Sequence, residues 1–253
     1  MNGDATSSVF LISSGATING GDESAFRALL TNEENGQVLI TDQNLIVDSG
    51  EISIETANDL DATTEGTVTA DIAIDTTVAN LATLEGTNAY TIKIADSDAT
   101  GSTAEQLLAI DNATTVTVDA SAITSIEGTF EEITALYGSS GISDLGDENI
   151  IIDGDLTVGE ANIIDALTEG TVTANIEANT TLANLKNLTG FNAYTITVAA
   201  SDATTTASDL NTISDLTSAT IDASAVTAIN LDTFSNIKTL LTCLLYTSDA
   251  ADE

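Results

Sequence analysis

The chain has 253 residues, 40 acidic and 4 basic, for a net charge of −36. That charge repels phosphate, which excludes nucleic acid and anionic membranes as natural partners and favours cations. Apolar content of 42% suffices for a core, histidine, proline and tryptophan are absent, and no run of eighteen apolar residues is present to span a membrane.

The opening, MNGDATSSVFLISSGATING, lacks a basic n-region and a long apolar stretch, so it does not read as a signal peptide. The first predicted strand is TVTADI at 67–72, with Val68 and Ile72 inward and Thr67 and Thr69 outward. A short helix follows in TTVANLATLEG, where Val78, Leu81 and Leu84 share a face and the DTT at Asp75 supplies a cap. AYTIKIAD, at 89–96, is the next strand, with Ile92 and Ile94 inward and Thr91 and Lys93 outward. Its helix, STAEQLLAI, carries Leu107, Leu108 and Ile110, with GST at Gly101 as the cap signal. TVTVDAS at 115–121 directs Val116 and Val118 inward and Thr115 and Thr117 outward; GTFEEITALYG is then helical through Phe130, Ile133 and Leu136. YGSSGISDLGDE reads as a longer loop. NIIIDGD at 149–155 is a strand, and VGEANIIDALTEG a helix with Ile163, Ile164 and Leu167. TVTANI, AYTITV and SATIDAS repeat the first three strands.

The repetition is long-period. TEGTVTA at 64–70 returns at 168–174, NAYTI at 88–92 returns at 192–196, and SDAT at 97–100 returns at 201–204, each 104 residues on. Phe26, Phe130 and Phe234 keep the same interval. Within a unit, strand centres lie mostly 22–25 residues apart, four to a unit. A strand and a short helix at that spacing predict an α/β fold, an elongated right-handed solenoid of leucine-rich-repeat type, stacking coils that cannot bury their apolar faces alone. A parallel β-helix is the alternative, although the i, i+3 spacing of the leucines disfavours it. Residues 1–242 form one array, expected to begin inside one unit and stop inside another.

Residues 243–253, CLLYTSDAADE, leave the register and contain the only cysteine. They are similar to a sequencing adapter translated in frame and read as a non-native tail.

The phrase VDASAITSIEGTFEEITALYGSSGISDLGDENIIIDG, at 118–154, resembles repeats in very large secreted or cell-surface proteins of marine bacteria, cyanobacteria especially. The resemblance covers essentially 1–242. It implies an extracellular or cell-surface location, a calcium-containing setting and a structural or adhesive role, and it brings no catalytic residues.

Calcium is the cofactor that the composition favours, because it takes carboxylate and carbonyl oxygens. Asp96 and Asp98 open an EF-hand-like loop whose twelfth position is Leu107 in place of the expected glutamate. Asp153 and Asp155, the DGD at an expected strand-to-helix turn, form a second pair of oxygen ligands. Aspartates at such turns also cap helices and solvate loops. Without histidine or a catalytic constellation the chain is not expected to be an enzyme. The outward Thr-x-Thr pattern offers a flat face for a glycan, a surface or ice, and neighbouring repeats are further expected partners. Tyr90 and Tyr194 read as core residues with a wet hydroxyl. Long-read sequencing of the locus is expected to replace residues 243–253 with a continuation of the repeat; the same codons followed by a genomic stop would overturn the tail reading.

Overall fold

In the computed structural model the described residues are 9–95, 100–230 and 232–248, with side chains described as far as 242. They divide into two compact units, one within Met1–Thr124 and Ala135–Leu145, the other within Ser125–Thr134 and Gly146–Glu253. The fold is α/β, with short helices and parallel strands, and none of the sheets closes into a barrel.

The chain runs β1 (Phe10–Leu11), β2 (Thr17–Asn19), α1 (Glu23–Glu34), β3 (Val38–Leu39), β4 (Asn44–Ile52), α2 (Ile54–Thr63), β5 (Val68–Ile72), α3 (Val78–Leu81), β6 (Ala89–Thr91), β7 (Ser102–Thr103), α4 (Ala104–Ala113) and β8 (Val118–Asp119). It continues through β9 (Ser125–Gly128), α5 (Phe130–Gly138), β10 (Ile142–Ser143), β11 (Asn149–Leu156), α6 (Val158–Asp165), β12 (Val172–Ile176), α7 (Leu182–Leu185) and β13 (Ala193–Thr197). A 3₁₀ turn, β14 (Thr204–Thr206), α8 (Ala207–Ser214), β15 (Ile221–Asp222), β16 (Ala228–Asn230) and α9 (Phe234–Ser248) complete it.

In the first unit β2, β4, β5 and β6 lie side by side in chain order, all parallel, and β8 pairs with β10. In the second, β9, β11, β12, β13 and β15 do the same. Helices α1 and α2 pack on β4 and β5, and α6 packs on β11 and β12. The core lies between these layers. Val68, Ile72 and Val118 point into it from the strands, Ile92 and Ile94 from the segment after β6, which ends at Thr91 short of the expected 89–96, and Leu60, Val78, Leu81, Leu107 and Ile110 from the helices. Each such side chain contributes about 1.5–3 kcal/mol on burial.

The short helices form because a hydroxyl caps them. Thr77 accepts from the Asn80 N–H, and Thr103 forms a reciprocal capping box with Gln106; these are the last residues of the DTT and GST triplets. The helix of TTVANLATLEG is a single turn.

Four expectations change. Val116 is exposed, because β8 begins only at Val118 and the Val116 N–H turns back to the Thr114 hydroxyl at 3.0 Å. Ile163 is 49% exposed, so the inner face of α6 is Ala161 and Ile164. The loop at 137–148 contains β10, and Ser125–Gly128 is an unpredicted strand; both are too short for alternation to reveal and exist through their pairing with β8 and β11. Tyr90 and Tyr194 are fully buried, and their hydroxyls donate to the Ala57 and Ala161 carbonyls at 3.2 and 3.4 Å, so they are dry. Burial and the nearby Asp165 push the Tyr194 phenol up to about 12.

Buried and half-buried polar side chains stitch successive segments together. Asn88 Oδ1 accepts from the Val68 N–H at 2.8 Å while its amide donates to Asp61 at 2.7 Å; Asn192, Val172 and Asp165 repeat both distances. Thr64, Thr168, Thr114 and Thr217 donate to the carbonyls of Gln43, Glu148, Tyr90 and Tyr194 at 2.6–2.7 Å. Beside them the backbone closes up: a Cβ on Gly66 or Gly170 would lie 2.4 or 2.2 Å from the carbonyl oxygen of Gln43 or Glu148. An Asn88→Ala variant leaves the buried Val68 N–H without its acceptor and is expected to lose about 1–3 kcal/mol in urea denaturation; unchanged stability would contradict this assignment.

Candidate functional site

Three surface features carry potential chemistry. The first is the outward strand face. Thr67 and Thr91 are exposed beside buried Val68 and Tyr90, as alternation predicts, whereas Thr115, Val116 and Thr117 are all exposed ahead of β8; the register between strands does not align the threonines. Thr69 sits between Ile46 and Ala89, and Thr91 is paired with Asp71; in the second unit Thr173 sits between Ile151 and Ala193, and Thr195 is paired with Asn175. The face is therefore mixed, with no continuous threonine row along these strands.

The second feature is the aspartates. Asp96 and Asp98 lie outside the described residues. Asp202, 104 positions after Asp98, accepts from the Leu182 N–H at 2.8 Å and so serves the start of α7. Asp153 and Asp155 are brought onto one bulge, inside β11 and ahead of the strand-to-helix turn, which is made by the N-cap Thr157. The register jumps there from Ile151 to Asp155 against Thr173 to Asn175, around Gly154 at φ 115°. The first unit has the same device, unnoticed in the sequence: β4 bulges between Ile46 and Glu51, placing Asp48 and Glu51 around Gly50 at φ 79°. The readable signal was a slip in period. Asn44 and Asn149 are 105 apart, whereas Ser53 and Thr157 are 104 apart, and the bulge absorbs the difference. Two carboxylates on a bulge would contribute part of the six to eight oxygens that calcium takes, with water supplying others. Among the described residues, no three carboxylates converge on one point.

The third feature is a pair of cavities. One, of about 540 Å³, lies in the first unit between the start of α2, the turn after β5, and α3. The other, of about 350 Å³, lies between α6, the turn after β12, and α7 in the second unit. Each is framed by an asparagine clamp. Asn58 donates to the Thr83 carbonyl at 2.9 Å and accepts from the Glu85 N–H at 3.0 Å; Asn162 does the same with Asn187 and Thr189 at 2.8 and 2.9 Å. The clamps hold the segment after each one-turn helix against the preceding helix. Sequence reasoning missed them, though the recurrent Ala-Asn at 57–58 and 161–162 marks their position.

Three of the four basic residues reach a later segment: Arg27 to Glu55 at 3.3 Å, Lys93 to Asp119 at 3.2 Å, and Lys186 to Asp209. Local hydrogen bonds hold several carboxylates below their ordinary range: Ser121 for Asp119, Ser224 for Asp222, and Asn236 for Asp232. Glu23 is held down first by the hydroxyls of Ser53 at 2.6 Å and Thr56 at 2.5 Å, with Arg27 adding to them.

No protein-family profile, curated protein or solved structure matches this chain. Among the described residues no helix is long and apolar enough to cross a membrane.

Because the folded pKa of Glu23 is depressed below 4.5, its contribution to stability is present above that value and lost as pH falls through the folded pKa. A Thr56→Val variant is therefore expected to be less stable than the parent at neutral pH, with the gap closing on acidification. Urea titrations of both proteins across the acidic range check this, and a pH-independent gap would contradict it.

Proposed function

We propose that the chain is a structural or adhesive repeat segment of a secreted bacterial surface protein, built as an elongated right-handed solenoid and stabilised by salt or calcium. The observation that carries this reading is the chain-order parallel pairing in each unit, in which the same Asn and Thr positions bond each segment to the next. Such segments can be added one after another without redesign, which suits a protein whose task is to span distance and present a surface. The acidity supports a saline or calcium-containing exterior, where a short Debye length weakens self-repulsion. The repeat phrase at 118–154 supports a cell-surface location through its resemblance to surface repeats.

Small-angle scattering tests the shape. A compact chain of this length has a radius of gyration of about 18 Å; a solenoid is expected to exceed this clearly, and a value near it would overturn the extended reading. Calcium is tested separately by circular-dichroism melts in millimolar CaCl₂ and in NaCl at matched ionic strength. A ligand stabilises only through preferential binding to the folded state. The expected result is a larger rise in midpoint with calcium, diminished by Asp153→Asn with Asp155→Asn. Equal midpoints would reduce the acidity to generic salt adaptation.

A further inference from the structure

The two cavities are made by equivalent positions of the repeat. In the first unit the wall includes Ser53, Thr76 and Asn80; in the second it includes Thr157, Thr180 and Asn184, each 104 positions later. The neutral polar groups recur, hydroxyl for hydroxyl and amide for amide. The charges do not. Glu55 gives way to Gly159, Asp75 to Asn179, and Glu177 stands where the first unit has Ala73. Glu55 is moreover paired with Arg27.

This pattern selects a ligand class. A cation site would retain its carboxylates, and these are the groups that vary. An anion would need cationic donors, and neither cavity is lined by lysine or arginine. Neither wall carries an aromatic ring on which a base could stack. What both cavities retain is a hydroxyl that donates and accepts beside an amide that does both, the complement of a sugar hydroxyl pair. Among the described residues, no side-chain hydrogen bond engages the Asn80 and Asn184 amides or the Thr76 and Thr180 hydroxyls. Volumes of about 540 and 350 Å³ fall within the range of small-molecule sites.

We propose that each cavity is a subsite for one neutral pyranose unit of a glycan, held by Thr76 and Asn80 in the first unit and by Thr180 and Asn184 in the second. Without an aromatic platform each subsite is weak, and repetition along a chain supplies avidity. The inference does not rest on the extended shape proposed above: a compact scattering profile would leave it standing.

Saturation-transfer NMR on the full chain tests it, with methyl α-glucopyranoside, methyl α-mannopyranoside and methyl β-galactopyranoside as probes. Transfer to at least one probe is expected, reduced by Asn80→Ala or by Asn184→Ala and abolished when both are combined with Thr76→Ala and Thr180→Ala. To separate binding from folding, an isosteric pair, Asn80→Asp with Asn184→Asp, replaces each amide donor with a charged, acceptor-only carboxylate and is expected to weaken transfer with an unchanged circular-dichroism melt. No transfer from any probe at millimolar concentration, or transfer surviving in the folded combined variant, would overturn the proposal.

Discussion

Where successive segments pack, turns between a helix and the following strand bring backbone N–H and carbonyl groups into a place where water is scarce, and those groups must be paired. This requirement organises the molecule. Asn88 and Asn192 pair the Val68 and Val172 N–H groups, and Thr64, Thr114, Thr168 and Thr217 pair the carbonyls of the preceding segments. A buried unpaired polar group costs about as much as several such bonds contribute net, so these positions permit little substitution. They also set how closely one segment approaches the next. The absent side chains of Gly66 and Gly170 let the backbone close to the distance at which the threonine bonds form.

The charge of the chain is distributed around this framework and does not build it. Arg27, Lys93 and Lys186 each join one segment to a later one, but such exposed pairs contribute little individually. Several acids serve local geometry instead: Asp119 and Asp222 each accept from a serine N–H two residues on, at 3.0 and 2.9 Å. Most of the remaining negative charge faces solvent, where ions screen it.

The two units show what repetition does to surface features. Whatever one copy displays, the next displays again, with substitutions where the framework does not object. The bulge pair is Asp48 and Glu51 in one copy and Asp153 and Asp155 in the other. The cavity walls keep threonine and asparagine and exchange their charges. Repetition fails at α9. Phe234 is 82% exposed where Phe26 is buried, and the helix continues through Ser248 where its counterpart α5 ends at Gly138. The position matching that glycine is Thr242, which disfavours a helix less than glycine does.

Local periodicity was sufficient to read the strands at Val68 and Val172, the start of the strand at Ala89 though not its end at Thr91, the short helix at Val78 and Leu81, and the long period itself, because each depends on residues close together in the chain. Side-chain facing followed from the same local rule and failed where a strand began late, at Val116. The register between strands was not legible: two-residue alternation places Thr69 and Thr91 outward, but hydrogen bonding across the sheet decides that their partners are Ala89 and Asp71. The bulges, the dry tyrosine hydroxyls and the asparagine clamps belong to the same category. The sequence by itself determined the composition of each segment and its recurrence, through local pattern. Tertiary structure alone decided which groups meet, because pairing between residues 20 to 33 apart depends on how segments pack and not on what lies beside each residue in the chain.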